Sequence, residues 1–279
     1  MTNSPNIALL TATVTPPAWV PKLMRSDPAV RLGDYLQAFP VYLDHLANGT
    51  FDALVLVENS GHDLSQFATM AKDAGLQDHV DLISYDGMST APKSDRFYAE
   101  CSLLKEALVR ASRLTETPDA TIWKLTGRYV FDNLTEVLHA LPKGYDLYLH
   151  DMRPGQISVV FGLAGFRAGI MADVLDRFQA PAYARDCNES YVLALLDRGV
   201  MNDLRVVTRF PVSPKTRSIA AISNQPYGEA KARIKDQLRV LKRNLNPFYD
   251  SHDLVYVPDI GRMMRRKLAK AKRFEFVEP

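Results

Sequence analysis

The sequence predicts an α/β layered domain, on three observations. Ala53-Leu-Val-Leu-Val57 is a run with no polar alternation, as a strand covered on both faces requires. Residues 31–47 repeat apolar side chains at three- and four-residue spacing, the period of a helix with one buried face. Short apolar runs and longer helical patterns alternate in this way through the first 150 residues, the order expected of parallel strands joined by right-handed crossovers.

The elements follow in order. Ile7-Ala-Leu-Leu10 reads as a first strand, leading into a Thr/Pro-rich loop that runs to Pro21. The helix over 31–47 carries Pro40, which removes one backbone donor and is expected to kink it. The strand at 53–57 ends in Glu58-Asn-Ser-Gly61, a polar turn with a helix start just beyond. Val80–Ser84 is a third strand, Arg96–Arg113 a long helix and Thr121–Leu125 a fourth strand. Thr135–Leu141 is helical, and Asp146–His150 forms a fifth strand. His45, His79 and His139 fall in or near helices and are expected to be exposed.

Composition narrows the class further. The chain has 279 residues, 47% hydrophobic and 24% charged, values of an ordinary well-cored globular protein. Disordered, collagen-like and disulfide-stapled chains are excluded. Two cysteines, Cys101 and Cys187, make no framework and no zinc pattern, so a reducing cytoplasmic setting is expected. The N-terminus lacks a basic segment ahead of an apolar run, unlike a signal peptide. No uninterrupted apolar stretch approaches the roughly 20 residues of a membrane span. The net charge of +2 hides an asymmetry: residues 229–279 hold 13 Lys+Arg against 7 Asp+Glu.

Ligands of open α/β sheets bind at the carboxyl ends of strands, so the strand exits are the candidate sites. The first exit offers the hydroxyls of Thr11 and Thr13, and the second offers Glu58 and Asn59. Neither a GxGxxG turn after the first strand nor a GxxxxGK[ST] loop is present, which argues against the common dinucleotide and P-loop sites. The fourth exit reads Lys124-Leu-Thr126-Gly127-Arg128. An arginine fork and a mobile lysine beside a glycine suit a bulky anion such as a phosphate. An arginine paired with a surface carboxylate beside a turn glycine is the plainer account of the same residues.

The order of elements resembles the GT-A fold of nucleotide-sugar glycosyltransferases over about residues 6–200. Val57-Glu-Asn-Ser-Gly61 is similar to the Asp-Asn-Gly-Ser-type turn that lies near the base in that family, with Glu58 in the acidic position. Lys124-Leu-Thr-Gly-Arg-Tyr129 also looks like a motif of bacterial transferases that build surface polysaccharide and lipopolysaccharide. One departure is specific: the family's Asp-x-Asp, which holds a divalent metal and the donor diphosphate, is replaced at this exit by Thr126-Gly-Arg128. A site without those carboxylates loses its strongest Mg²⁺ or Mn²⁺ ligands. The resemblance therefore implies a transferase without a cofactor, metal-independent in preference to the alternative of a bound divalent ion, in which Lys124, Thr126, Gly127 and Arg128 hold the diphosphate. Thr11, Thr13, Glu58 and Asn59 would hold the nucleoside.

The same resemblance divides the chain into a nucleotide-sugar-binding half (1–150), an acceptor-binding and catalytic half of the same domain (151–228) and a basic helical C-terminal region (229–279). Asp151 and Arg153 are expected on the acceptor side, and Phe161–Phe166 could line an acceptor groove or simply pack closely. Asp186-Cys-Asn-Glu189 opens a helical pattern and resembles the acidic helix start of inverting enzymes. It makes Glu189 the first choice for general base and Asp186 the second, although helix capping explains the same acids. Residues 261–274 can form a basic amphipathic helix suited to an anionic membrane surface. The implied function is sugar transfer from a nucleotide-sugar donor to a glycan or lipid-linked glycan, with inversion, on the inner face of the plasma membrane. A sugar-1-phosphate nucleotidyltransferase and a non-catalytic glycan- or membrane-binding module are the alternatives. Nucleic acid is not expected, because the charge gathers at one end without an aromatic strand platform.

Overall fold

The structure, a computed structural model, describes residues 4–20, 23–88, 96–149, 162–179, 203–207, 210–221, 224, 226–227, 238 and 255–256. Its main sheet begins with β1 (Asn6–Ala12), β2 (Ala53–Glu58), β3 (Val80–Ser84) and β4 (Thr121–Thr126). These are joined through α1 (Pro28–Ala47), α2 (Ser65–Asp73) and α3 (Arg96–Arg110). After β4 come β5 (Val130–Phe131), α4 (Leu134–Ala140), β6 (Leu147–Tyr148), β7 (Leu163–Arg167) and α5 (Met171–Gln179). The last described elements are β8 (Val206–Val207), β9 (Thr216–Ile219), β10 (Pro226–Tyr227) and β11 (Val255–Tyr256).

The strand order is β3-β2-β1-β4-β7-β6-β8-β11, with a second small sheet β10-β9-β5. Among the described strands only β7 and β11 run against the common direction of the main sheet. Every residue of β2 is buried, which is why its sequence is apolar without alternation. Side chains of alternating parity feed two cores. Ile7, Leu9, Val55 and Ile122 pack with α3 and α5 on one face. Ala8, Leu10, Leu56, Trp123 and Leu125 pack with α1, α2 and α4 on the other.

Helix α1 starts where Asp27 accepts hydrogen bonds from the Ala29 and Val30 amides at 2.8 and 3.1 Å, with Pro28 in the first turn. It runs continuously past Pro40 to Ala47 and buries the stripe Arg31, Tyr35, Phe39, Tyr42 and Leu46. His45 corrects its expected exposure. It is half-buried, and desolvation holds its imidazole below the usual value despite the opposing charge of Asp44. Its Nδ1 lies 3.4 Å from the Thr135 hydroxyl.

Of the stretch 161–166, expected either to line an acceptor groove or simply to pack closely, residues 163–166 belong to the central strand β7 and pack closely. Trp123 faces Gly165 in the β4–β7 register, and a Cβ at residue 165 would stand 2.6 Å from the indole Cζ3. The indole Nε1 donates to Asn6 Oδ1 at 2.9 Å, and its ring lies 5.1 Å from that of Tyr148. Glycine is therefore needed there for close packing. The tail read as helical, including 261–274, lies outside the described residues apart from Leu238 and the pair Val255–Tyr256. Among the described residues no helix is long and apolar enough to cross a membrane.

Candidate functional site

The strand order reverses at β1. The chain adds β2 and β3 on one side of it and then crosses to β4 on the other. Such a reversal opens a crevice at the carboxyl ends of the flanking strands. Register fixes what stands there: Thr11 is level with both Val57 and Thr126, and Ala12 with Glu58. Thr11, Thr13, Glu58, Asn59, Thr126, Gly127 and Arg128 therefore gather at one end of the sheet.

Gly127 closes the β4 side. Its N–H donates to the Thr11 carbonyl at 2.9 Å, and a Cβ at residue 127 would stand 3.0 Å from that same oxygen. A side chain would thus wedge β4 away from β1. The Thr11 hydroxyl turns back to the Leu125 carbonyl at 3.4 Å, so it braces the two strands.

On the β2 side, Glu58 is 0% exposed. Its carboxylate accepts from the amides of Val14 (2.9 Å), Ser60 (3.0 Å) and His62 (2.8 Å), and from the Ser60 hydroxyl. It organises the exit from within. Asn59 accepts from the Thr13 hydroxyl at 2.7 Å, and its amide nitrogen lies 3.1 Å from Met88 Sδ. Asp63, just beyond, is held below the usual carboxylate range by the Ser65 hydroxyl and amide. On the neighbouring exit, burial pushes the Tyr85 phenol up to about 12, and Arg110 stacks on its ring at 4.9 Å.

The two cations of the β4 exit, both expected to hold the diphosphate, take different directions. Lys124 shares the parity of Ile122, points to the α3 face and is 0% exposed. Its ammonium pairs with Glu100 of α3 and donates to the Thr126 hydroxyl at 3.2 Å. Arg128 lies beyond the glycine and donates to the Ile219 carbonyl of β9. Its guanidinium also stacks on Tyr129 at 4.7 Å and bonds the Tyr129 hydroxyl at 3.3 Å. Arg128 thus ties the small sheet to the site's rim.

A divalent ion at this exit would need carboxylates. Thr126-Gly127-Arg128 supplies none, and Glu100 is engaged by Lys124. The described residues at the β4 exit do not fit such an ion. Among the described residues no group of three or more His, Cys, Asp or Glu side chains gathers. Asp151, Arg153, Asp186 and Glu189 lie outside the described residues.

Two residues escaped the sequence reading. Arg31 and Tyr35 of α1 reach the loop after β1: Arg31 Nε donates to the Thr13 carbonyl at 2.7 Å, and the Tyr35 hydroxyl accepts from the Thr13 amide at 3.0 Å. The available signal was an arginine standing on the apolar stripe of a helix, four residues before a tyrosine.

The sheet order and its flanking layers define a Rossmann-type α/β fold, a mostly parallel sheet covered by helices on both faces. No family model and no curated protein sequence matches the chain. Solved structures resemble it at low identity. One is a protein described as a nucleotide-diphospho-sugar transferase from Desulfovibrio desulfuricans G20, at 16% identity and TM-score 0.44, over 74% of this chain and 80% of that one. A mannosyltransferase from Pyrobaculum calidifontis, in complex with GDP-mannose and Mn²⁺, aligns at 13% identity and TM-score 0.45 over 97% and 74%. A protein described as a glucose-1-phosphate thymidylyltransferase from Bacillus anthracis, in complex with sucrose, aligns at 11% and TM-score 0.40 over 88% and 97%. At these scores the likeness is one of chain path alone.

Proposed function

We propose that the chain is a glycosyltransferase that moves a sugar from a nucleotide-sugar donor to a glycan or lipid-linked glycan acceptor in bacterial surface polysaccharide synthesis. The observation that carries this reading is the meeting of the β1, β2 and β4 ends at the strand-order reversal, where Gly127 has no room for a side chain beside the Thr11 carbonyl.

In this reading the nucleoside rests on the Thr11–Thr13 loop and the Asn59 turn, and the diphosphate meets the Thr126 hydroxyl. Lys124 acts on that hydroxyl from beneath. By donating to Thr126 Oγ1 it leaves the hydroxyl proton directed at an acceptor outside, such as a phosphate oxygen. Glu189 serves as general base, with Asp186 second, on the sequence pattern alone. The acceptor oxygen bonds to the anomeric carbon as its proton passes to the carboxylate. The bond from that carbon to the diphosphate breaks, the nucleoside diphosphate leaves with the electron pair, and configuration inverts. Asp151 and Arg153 belong to the acceptor side. Residues 261–274 would hold the enzyme against anionic lipid on the cytoplasmic face.

The test is thermal stabilisation of the full chain by nucleoside mono- and diphosphates and nucleotide sugars, in EDTA and in Mn²⁺. A ligand that binds only the folded state raises the melting temperature by mass action. A rise that survives EDTA is expected. A rise only with Mn²⁺ would overturn metal independence, and pyrophosphate release with metal would favour the nucleotidyltransferase. No rise with any ligand would refute the transferase.

A further inference from the structure

The peptide unit between Thr13 and Val14 is gripped at both ends by buried charges. Arg31 Nε donates to its carbonyl oxygen at 2.7 Å, and its N–H donates to Glu58 Oε1 at 2.9 Å. Arg31 is 6% exposed, as against the fully enclosed Glu58. Neither meets a side chain of opposite charge among the described residues. The remaining hydrogen bonds of Arg31 go to the Arg25 carbonyl and the Tyr35 hydroxyl, each at 3.2 Å. Those of Glu58 come from Ser60 and His62.

A buried charge ordinarily needs a partner of opposite sign or a full set of oriented dipoles. Here the partner of each charge lies on the far side of one peptide dipole. The negative carbonyl end faces the guanidinium and the positive N–H end faces the carboxylate, so both charges favour the same orientation. Turning that peptide over would set like against like at both ends. With the Thr13 amide donated to Tyr35, three successive polar groups of the loop are fixed. The Thr13 side chain is thereby aimed at Asn59.

Building on the transferase reading above, we infer that Arg31 and Glu58 are positioning residues for the donor's nucleoside, acting through the Thr13–Val14 peptide that they hold as a preformed rest. Glu58 then has a role other than the direct donor contact expected of it, since its carboxylate is consumed by the loop. Preformation lowers the ordering cost that binding would otherwise carry.

The experiment compares wild type with Arg31→Met, Arg31→Lys and Glu58→Gln. It uses hydrogen exchange across residues 13–15, and binding of the five common nucleoside diphosphates and of inorganic pyrophosphate. Arg31→Met is expected to speed exchange of the Val14 amide and to weaken the nucleoside diphosphate that wild type prefers by about tenfold, a change of about 1.4 kcal/mol. Pyrophosphate affinity should stay within about twofold, because the clamp touches the nucleoside end only. Arg31→Lys keeps the charge and one donor, so it should recover part of both losses and covers the case in which the methionine variant does not fold. Nucleoside diphosphate binding by Arg31→Met as tight as wild type would overturn the inference. So would a parallel loss of pyrophosphate binding, which marks a global defect. Wild type that binds none of the five would instead sink the nucleotide reading itself, whatever the exchange at Val14.

Discussion

Replacing Gly165 by alanine tests the packing that sets the sheet's centre. The added Cβ would stand 2.6, 2.9 and 3.0 Å from Cζ3, Cε3 and Cη2 of Trp123. Carbon atoms prefer about 3.5–4.0 Å, so the indole must retreat by about 1 Å. It is held by the 2.9 Å hydrogen bond to Asn6 and by contact with Tyr148. Overpacking of this kind costs about 1–3 kcal/mol, and losing the indole hydrogen bond about 0.5–1.5 kcal/mol more. Alanine offsets about 0.4–1 kcal/mol by restricting the unfolded chain. The net expectation is a loss of about 2 kcal/mol, the middle of those combined ranges, read as a lower urea midpoint at unchanged slope. In a Trp123→Phe background the shorter ring leaves space, and the same substitution should cost under about 0.5 kcal/mol. An equal cost in both backgrounds, or a raised midpoint for Gly165→Ala alone, would refute the account.

Other outcomes follow from the site and its supports. Gly127→Ala should weaken nucleoside diphosphate binding about tenfold or more by forcing β4 from the Thr11 carbonyl, checked by calorimetric titration. Arg128→Ala should cost about 1.5–3 kcal/mol by freeing the Ile219 carbonyl, and limited proteolysis should then cut first within 210–221. Acidification should expose His45. Its folded value is depressed below 6.5, so the unfolded chain binds the proton first. Stability is therefore lost as pH falls from about 6.5 through the folded value, and the midpoint-versus-pH curve of His45→Gln should be flatter there.

The parallel strands were legible because burial on both faces writes itself as an unbroken apolar run, as in Ala53–Val57. Helix α1 was legible from its period, although Asp27 and Pro28 place its start three residues earlier than the apolar pattern does. Strand β7 was not: Leu163-Ala-Gly-Phe-Arg167 lacks β-branched residues, and its glycine answers to a tryptophan some forty positions away. The small sheet rests on pairings of two residues each, too short for any period to register. At the site, the strand exits stood out as polar residues ending apolar runs. The directions of Lys124 and Arg128 did not, because their spacing hides a change of rule. Lys124 obeys strand parity, while Arg128 lies beyond a glycine turn where parity no longer applies. The buried Arg31 was concealed by the habit of counting arginine as surface.

Because β7 lies between β4 and β6, the sheet cannot be completed in the order in which the ribosome delivers it. Strands β1 to β4 can close on one another once residue 126 has emerged, yet the outer edge of β4 then presents unpaired backbone until 163–167 arrives. During that interval the Trp123 indole has no strand beneath it. A nascent chain stalled between those two points would be the form most exposed to mispairing and the form on which a chaperone has most to hold.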